Sequence, residues 1–409
     1  MDTLWYCIHM FFWKASSRVS ADEGKINELL TRSVEEIIPS RDSLAALLRR
    51  GEPLRVKLGI DPTSPHLHIG RAVTLLKLRD FQELGHTVVF IVGDFTGLIG
   101  DTSDKESERP MLDAAVIEKN KEKYFEQAGK ILDLSTVELR YNSEWLAKLN
   151  YRDVGEHADQ FSVSDFISRE LIRKRLDEGS RVSLRELLYP LMQGYDSVAV
   201  KADVEIGGSD QRFNLLAGRT LQSHYKQTPQ HVCITGPLLL GTDGRKMSSS
   251  WGNTINLDEP PDEIFGKIMS IPDSLVEPYF THATRIPLAT ITKVVAGHPK
   301  DAKMALAHEI VRMYHGASAA DKARHTFEHT FSKGEAPEDV RTVSLTSGTL
   351  ADALVASGIV SSKMDFRRLL DAGAISVVLS GEKITEARQP EDGEVLRVGK
   401  HRFVKIVKT

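Results

Sequence analysis

Residues 55–71 read Arg-Val-Lys-Leu-Gly-Ile-Asp-Pro-Thr-Ser-Pro-His-Leu-His-Ile-Gly-Arg, and this stretch decides the fold. Arg55 to Ile60 is apolar and β-compatible, Asp61-Pro62-Thr63-Ser64-Pro65 breaks it, and Val73, Leu76, Leu78, Phe81 and Leu84 then recur with helical spacing. Gly85 closes that helix. Thr87 to Val92 follows as a continuous apolar run stopped by Gly93, the pattern of a strand covered on both faces. The unit reads strand, helix, strand.

Further strands are predicted at 136–141, 203–206 and 231–235, separated by helical patterns, so the class is α/β with a mostly parallel, doubly wound sheet of Rossmann type. Ligands of such sheets sit at the carboxyl ends of the strands. After Asn256 the pattern turns helical, over 262–269, 291–295 and 302–332. Beyond the polar run Lys333–Asp339 it reads helix, helix, then short strands at 374–379, 394–398 and 402–407. The organisation expected is an N-terminal extension over 1–24, expected to be disordered, a catalytic domain over 25–256, a small α-helical domain over 257–335, a linker over 336–344 and a C-terminal α+β module over 345–409.

Composition removes several classes. The 53 basic and 57 acidic residues give a net charge of -4, so the whole chain lacks the bulk positive field of a nucleic-acid binder, although residues 341–409 carry +3. Two cysteines, Cys7 and Cys233, build neither a disulfide framework nor a zinc site, which fits a reducing, cytoplasmic compartment. No apolar run reaches the roughly 18 to 20 residues that a membrane-spanning helix needs. The aromatic stretch Leu4–Trp13 has no leading basic region and no clear cleavage site, so it reads as a frayed extension rather than a targeting segment.

Five segments carry candidate chemistry. The loop Asp61–Arg71 gathers hydroxyl and imidazole donors before a helix N-terminus, a place that suits anions, although His-x-His there is also an ordinary structural feature. No third ligand stands at a metal-binding spacing, so no metal site is predicted. Gly93-Asp94-Phe95-Thr96-Gly97-Leu98-Ile99-Gly100-Asp101 lets backbone approach a ligand while Asp101 projects a carboxylate; it is neither a dinucleotide fingerprint nor a P-loop. Lys105 and Arg109 follow four apart, placed to meet phosphate or to form a solvated face. Ser183-Leu184-Arg185-Glu186 reads as a capping box, and Tyr189, Gln193 and Asp196 then share one helical face, as the wall of a polar pocket would require. Gly207-Gly208-Ser209-Asp210-Gln211 ends a strand with an acid placed to accept from a ribose hydroxyl. Gly241 to Ser250 is a loop bearing Arg245, Lys246 and three serines, donors able to neutralise a pyrophosphate leaving group.

Together these segments resemble class I aminoacyl-tRNA synthetases: His68-Ile69-Gly70-Arg71 resembles the HIGH signature and Lys246-Met247-Ser248-Ser249-Ser250 the KMSKS signature. Tyr189, Gln193 and Asp196 with Gly207–Gln211 narrow the resemblance to the bacterial-type tyrosyl family, over about residues 25 to 409. The resemblance implies ATP, accompanied by Mg2+, L-tyrosine and tRNA(Tyr) as partners, and a homodimer. By resemblance Thr63 and His68 hold the ATP phosphates and Arg71 joins them among the catalytic residues, Asp61 lies beside the α-phosphate, Gly70 is a further ATP-binding residue, and Gly208 with Asp210 binds the ribose. Lys105, Arg109, Lys246, Ser249 and Ser250 would meet the pyrophosphate. Asp101, Tyr189 and Gln193 fall at the tyrosine ammonium, Gln211 near its carboxylate and Asp196 at its phenol. The last part, with Arg367, Arg368 and Arg402, resembles an RNA-binding module shared with a ribosomal small-subunit protein.

Three residues depart from the family pattern. Arg71 replaces the second His of HIGH, Ser249 replaces the second Lys of KMSKS, and Lys57-Leu58 stands where many members carry Tyr-Cys. Lys57 is therefore expected to orient Asp196. The rival readings are a tryptophanyl relative, an adenylyltransferase with a non-RNA acceptor, and a retired RNA-binding protein. Asp196 with Tyr189 weighs against the first, the basic tail against the second, and the joint presence of Thr63, His68, Asp101, Gln193, Asp210 and Lys246 against the third.

Overall fold

The computed structural model describes residues 19–101, 111–248, 251–332, 340–345, 349–378, 382–385, 390–399 and 402–408. Lys105, Arg109, Ser249 and Ser250 lie outside these residues, as do residues 1–18 of the expected extension. Asp22, still within that extension, already caps the first helix, Glu23–Thr31. The chain divides between Leu238 and Leu239 into two compact units.

The first unit is built on six strands: β1 (Val34–Ile38), β2 (Arg55–Ile60), β3 (Thr87–Val92), β4 (Val137–Tyr141), β5 (Val204–Gly208) and β6 (His231–Thr235). Their order is β1-β6-β5-β2-β3-β4, parallel throughout except for β1, which runs antiparallel beside β6. The chain moves outward from β2 to β3 and β4, then returns to lay β5 against the other side of β2. The crevice where a doubly wound sheet binds ligands therefore opens beyond the ends of β2 and β5. Val88 to Val92 are wholly buried, which is why β3 reads as an unbroken apolar run. Helix Ile69–Glu83 packs its Ala72, Leu75, Leu76 and Phe81 face over β2, β3 and β5.

Helix Leu184–Val200 supplies the other layer. Val89 and Ile91 of β3 cluster with Trp145, Val200 and Ala202. Because side chains alternate along a strand, Lys57 and Gly59, in register with Val89 and Ile91, face the same side. The capping box predicted at Ser183 is present: the Ser183 hydroxyl accepts from the Arg185 N–H, and Glu186 Oε1 accepts from the Ser183 N–H at 3.1 Å. Glu186 is also the buried partner of Arg175, at 2.7 Å. A Cβ on Gly194 would lie 3.0 Å from the Ala217 backbone, so glycine there sets the close crossing of this helix with Arg212–His224.

The second unit holds helices Pro261–Met269, Val276–Ala283, Leu288–Val295, Pro299–His315 and Ala317–Ser332. The single helical run expected over 302–332 is two helices, because Gly316 adopts a φ of 88°. A four-stranded sheet follows from β7 (Arg341–Leu345), β8 (Ile375–Val377), β9 (Val395–Val398) and β10 (Arg402–Lys408), ordered β7-β10-β9-β8. Residues 341–344, expected within the linker, belong to β7, which pairs parallel to β10. Its exposed, alternating polar residues give no apolar run to separate it from a linker. Val343, Leu354, Ile375, Leu396, Val404 and Ile406 form the core of this part.

Glu186→Ala removes one partner of a buried ion pair and half of a capping box, so it should cost about 3 to 5 kcal/mol in denaturant unfolding. A loss below about 1 kcal/mol, the level of an exposed pair, would contradict the assignment.

Candidate active site

The residues following β2, β3 and β4 converge with helix Leu184–Val200. Directly after β2, Asp61 accepts from Thr96 Oγ1 through Oδ1 at 2.7 Å and from the Tyr189 hydroxyl through Oδ2 at 2.8 Å. Gly93 is required there, since a Cβ would overlap Asp61 Oδ1 and Thr96 Oγ1. Asn142, immediately after β4, donates from Nδ2 to Thr96 Oγ1 at 2.8 Å and to Asp196 Oδ2 at 3.3 Å. Trp145 Nε1 donates to Asp196 Oδ1 at 2.8 Å. One chain of hydrogen bonds thus joins Tyr189, Asp61, Thr96, Asn142, Asp196 and Trp145.

Burial dominates the electrostatics. It raises the Asp61 carboxyl to about 6 against the hydrogen bonds from Thr96 and Tyr189, and raises Asp196 to about 7 against Lys57, Trp145 and Asn142. Burial and the neighbouring carboxylates push the Tyr189 phenol well above its usual range, so it stays a neutral donor. His68, at the N-cap of helix Ile69–Glu83, is lowered to about 3 by burial and by Arg71, and is neutral at physiological pH. Its Nδ1 is buried without a partner among the described residues. Arg71 donates to the Tyr124 hydroxyl at 3.1 Å and to the Asp61 carbonyl at 3.4 Å. Thr63 folds back through its N–H onto the Asp61 carbonyl, and Gly70 lies in the first turn of the helix that His68 opens.

The wall opposite the sheet is the predicted face of Tyr189, Gln193 and Asp196. Gln193 Nε2 donates to Glu205 Oε1 at 3.3 Å. Asp101 accepts from Gln211 Nε2 at 2.7 Å, which ties the loop after β3 to the turn after β5. At the end of β5 a Cβ on Gly208 would stand 2.8 Å from Asp210 Oδ1. Gly59 lies in the central strand yet is exposed, and a Cβ on it would meet nothing within 4 Å. Open space therefore stands over β2 on the side that faces Tyr189, Gln193 and Asp196.

The charge of Lys57 acts on Asp196 and lowers its carboxyl, but the hydrogen bonds of Lys57 go to other groups. Its ammonium donates to Glu205 Oε1 at 2.8 Å, Ser197 Oγ at 2.9 Å and the Gln193 carbonyl at 3.0 Å. Those three acceptors use its three hydrogens, because Lys57 registers opposite Glu205 on the adjacent strand β5. Asp196 is held by Trp145 and Asn142 instead.

In the second unit Lys246 bridges Leu240 in a hairpin, closed by Asn253, whose Nδ2 donates to Asp243 Oδ1 and to the Lys246 carbonyl. Arg245 pairs with Asp243 and lies over the Trp251 ring, 4.8 Å from its centroid. In the C-terminal part Arg367 and Arg368 are exposed, whereas Arg402 donates to the Ile359 carbonyl.

Residues 49–332 match the family of class I tRNA synthetases (W and Y). A tyrosine–tRNA ligase from Thermotoga maritima is 44% identical over 390 residues, covering 93% of this chain and 96% of that protein. One from Carboxydothermus hydrogenoformans is also 44% identical, covering 93% of this chain and 97% of its own length. The chain belongs to the tyrosine–tRNA ligase family. Its fold is shared with a C-terminally truncated mitochondrial tyrosyl-tRNA synthetase from Aspergillus nidulans, at a TM-score of 0.64 and 22% identity over 75% of this chain and 94% of that one.

For this ligase-family chain, reading the sequence missed Thr96, Asn142, Trp145 and Glu205. The rule that ligands gather at strand carboxyl ends, applied to β4, points to Asn142 and Trp145. Glu205 is signalled by a lone acid inside an apolar strand. Gly59→Leu should fill the space over β2 without disturbing the sheet. Thermal unfolding is expected to stay within about 3 °C of wild type, while binding of the amino-acid substrate is lost; undiminished binding would show that the substrate lies elsewhere.

Proposed function

We propose that this chain is a tyrosine–tRNA ligase whose tyrosine lies over Gly59 with its phenol at Asp196. It activates L-tyrosine with ATP, releasing pyrophosphate, and passes the tyrosyl group to the 3′ end of tRNA(Tyr). The observation that carries the reading is Asp196, 3% exposed, its carboxylate oriented by Trp145 and Asn142 beside open space, on the helical face that also presents Tyr189 and Gln193. A phenol hydroxyl entering there donates to a carboxylate already withdrawn from water. A phenylalanine ring leaves that acceptor dry and unmatched, which costs it affinity.

Activation needs no enzyme nucleophile. The carboxylate of tyrosine attacks the α-phosphorus of ATP, the bond to pyrophosphate breaks, and the enzyme contributes position and charge complementarity. Asp101, Tyr189 and Gln193 would receive the ammonium and Gln211 would lie near the carboxylate. Neutral His68 with Thr63 and Arg71 would meet the phosphates beside Asp61 and Gly70, and Gly208 with Asp210 the ribose. Lys246, with Lys105, Arg109, Ser249 and Ser250, would receive the pyrophosphate. Mg2+ is taken to arrive with ATP as part of the substrate, on the phosphates.

A catalytic domain, a helical domain and a C-terminal module that begins at β7, a homodimer in the cytoplasm, and tRNA contact by Arg367 and Arg368 belong to the same reading. Among the described residues no helix is long and apolar enough to cross a membrane.

Tyrosine-dependent exchange of pyrophosphate into ATP tests the function directly: exchange is expected with tyrosine and not with tryptophan. A phenol favours the charged form of Asp196, so binding expels a proton wherever Asp196 is protonated in the free chain. With Asp196 at about 7, the KM for tyrosine should fall as pH rises from 6 to 7, by at most about tenfold per unit, and level off above 8. A KM that does not change over this range would remove Asp196 as the phenol acceptor.

A further inference from the structure

We propose that Glu205, paired with Lys57, is a positioning residue for tyrosine selection, fixing Gln193 and the helical turn that carries Asp196 over the sheet. The inference rests on the reading of Gln193 and Asp196 as tyrosine contacts. Lys57 and Glu205 are register partners on β2 and β5, so both point to the face covered by helix Leu184–Val200. Their side chains are 0% and 1% exposed.

The pair grips Gln193 at both ends: Lys57 donates to its carbonyl, and Glu205 Oε1 accepts from its side-chain amide. Ser197, one turn further, accepts from Lys57 at 2.9 Å and donates to Glu205 Oε2 at 2.9 Å. Gln230 Nε2 donates to the same Oε2. Room for this cluster is kept by Gly218, where a Cβ would come within 2.6 Å of Gln230 Nε2 and 2.9 Å of Ser197 Oγ. Asp196 stands between the two gripped positions, Gln193 and Ser197.

A buried ion pair is rarely the most stable filling for its space, since apolar residues of similar volume do as well or better. What it supplies is direction. Every hydrogen of Lys57 has one acceptor, and Glu205 accepts from four side chains, so the helix can neither slide nor rotate over β2 and β5 without stranding a charge. All of Lys57's hydrogens are spent inside the cluster and neither side chain reaches solvent, so the pair acts through Gln193 and Asp196 rather than on tyrosine itself.

The test is tyrosine-dependent exchange kinetics with thermal unfolding for wild type, Glu205→Gln, Lys57→Met and the double variant. Glu205→Gln keeps the shape, because Gln230 can turn its Oε1, which has no partner among the described residues, toward the new amide. Each single variant should raise the KM for tyrosine about 10- to 100-fold, the scale of a lost charged hydrogen bond, while the KM for ATP stays within about twofold of wild type. The double variant strands no charge, so it should regain the melting temperature lost in the singles yet keep the raised KM for tyrosine. Tyrosine KM restored together with melting temperature would reduce the pair to a structural role and overturn the inference. So would an unchanged tyrosine KM in a folded single variant. Wild-type chain that exchanges pyrophosphate without tyrosine dependence would sink the reading of the site itself, and the inference with it.

Discussion

Asp196 is taken out of water and Asp61 is partly so, and the site depends on how that desolvation is compensated. An isolated carboxylate in such surroundings costs several kcal/mol and escapes by taking up a proton. Here each is held by two donors, Thr96 and Tyr189 for Asp61 and Trp145 and Asn142 for Asp196, with Asn142 touching both halves of the chain. The compensation is incomplete, which leaves the two groups at about 6 and about 7. Asp196 is thus an acceptor that gains from a further donor, and a phenol is one.

The sheet places those groups where one small molecule can reach them all. Asp61 follows β2, Thr96 follows β3, and Asn142 and Trp145 follow β4, each at the carboxyl end of a parallel strand. Helix Leu184–Val200 covers the same side and brings Tyr189, Gln193 and Asp196. Gly59, the strand residue beneath them, has no side chain to fill the gap. The cation and acid of β2 and β5 lie deeper, under the helix, where they secure its position rather than meet solvent.

Much of this is legible in the sequence because burial writes periodicity. The continuous apolar run of β3 reveals a sheet covered on both faces, and the spacing of Tyr189, Gln193 and Asp196 places them on one face before any coordinate is known. Three kinds of feature are not legible. The edge strands β1 and β7 are short and mostly not buried, so they leave no apolar pattern. The break at Gly316 is a single backbone angle inside a helical pattern. The ion-pair partner of Lys57 lies 148 residues away in the chain, and only the order of strands reveals that Glu205 accepts from its ammonium.

Calorimetric titration of tyrosine and of phenylalanine, into wild type and into Asp196→Ala, tests the central claim most directly. Removing the carboxylate should lower the preference for tyrosine about 10- to 100-fold, the scale of a hydrogen bond to a charged group, while phenylalanine binds as well as before or better. A variant that keeps the full preference for tyrosine would contradict that claim.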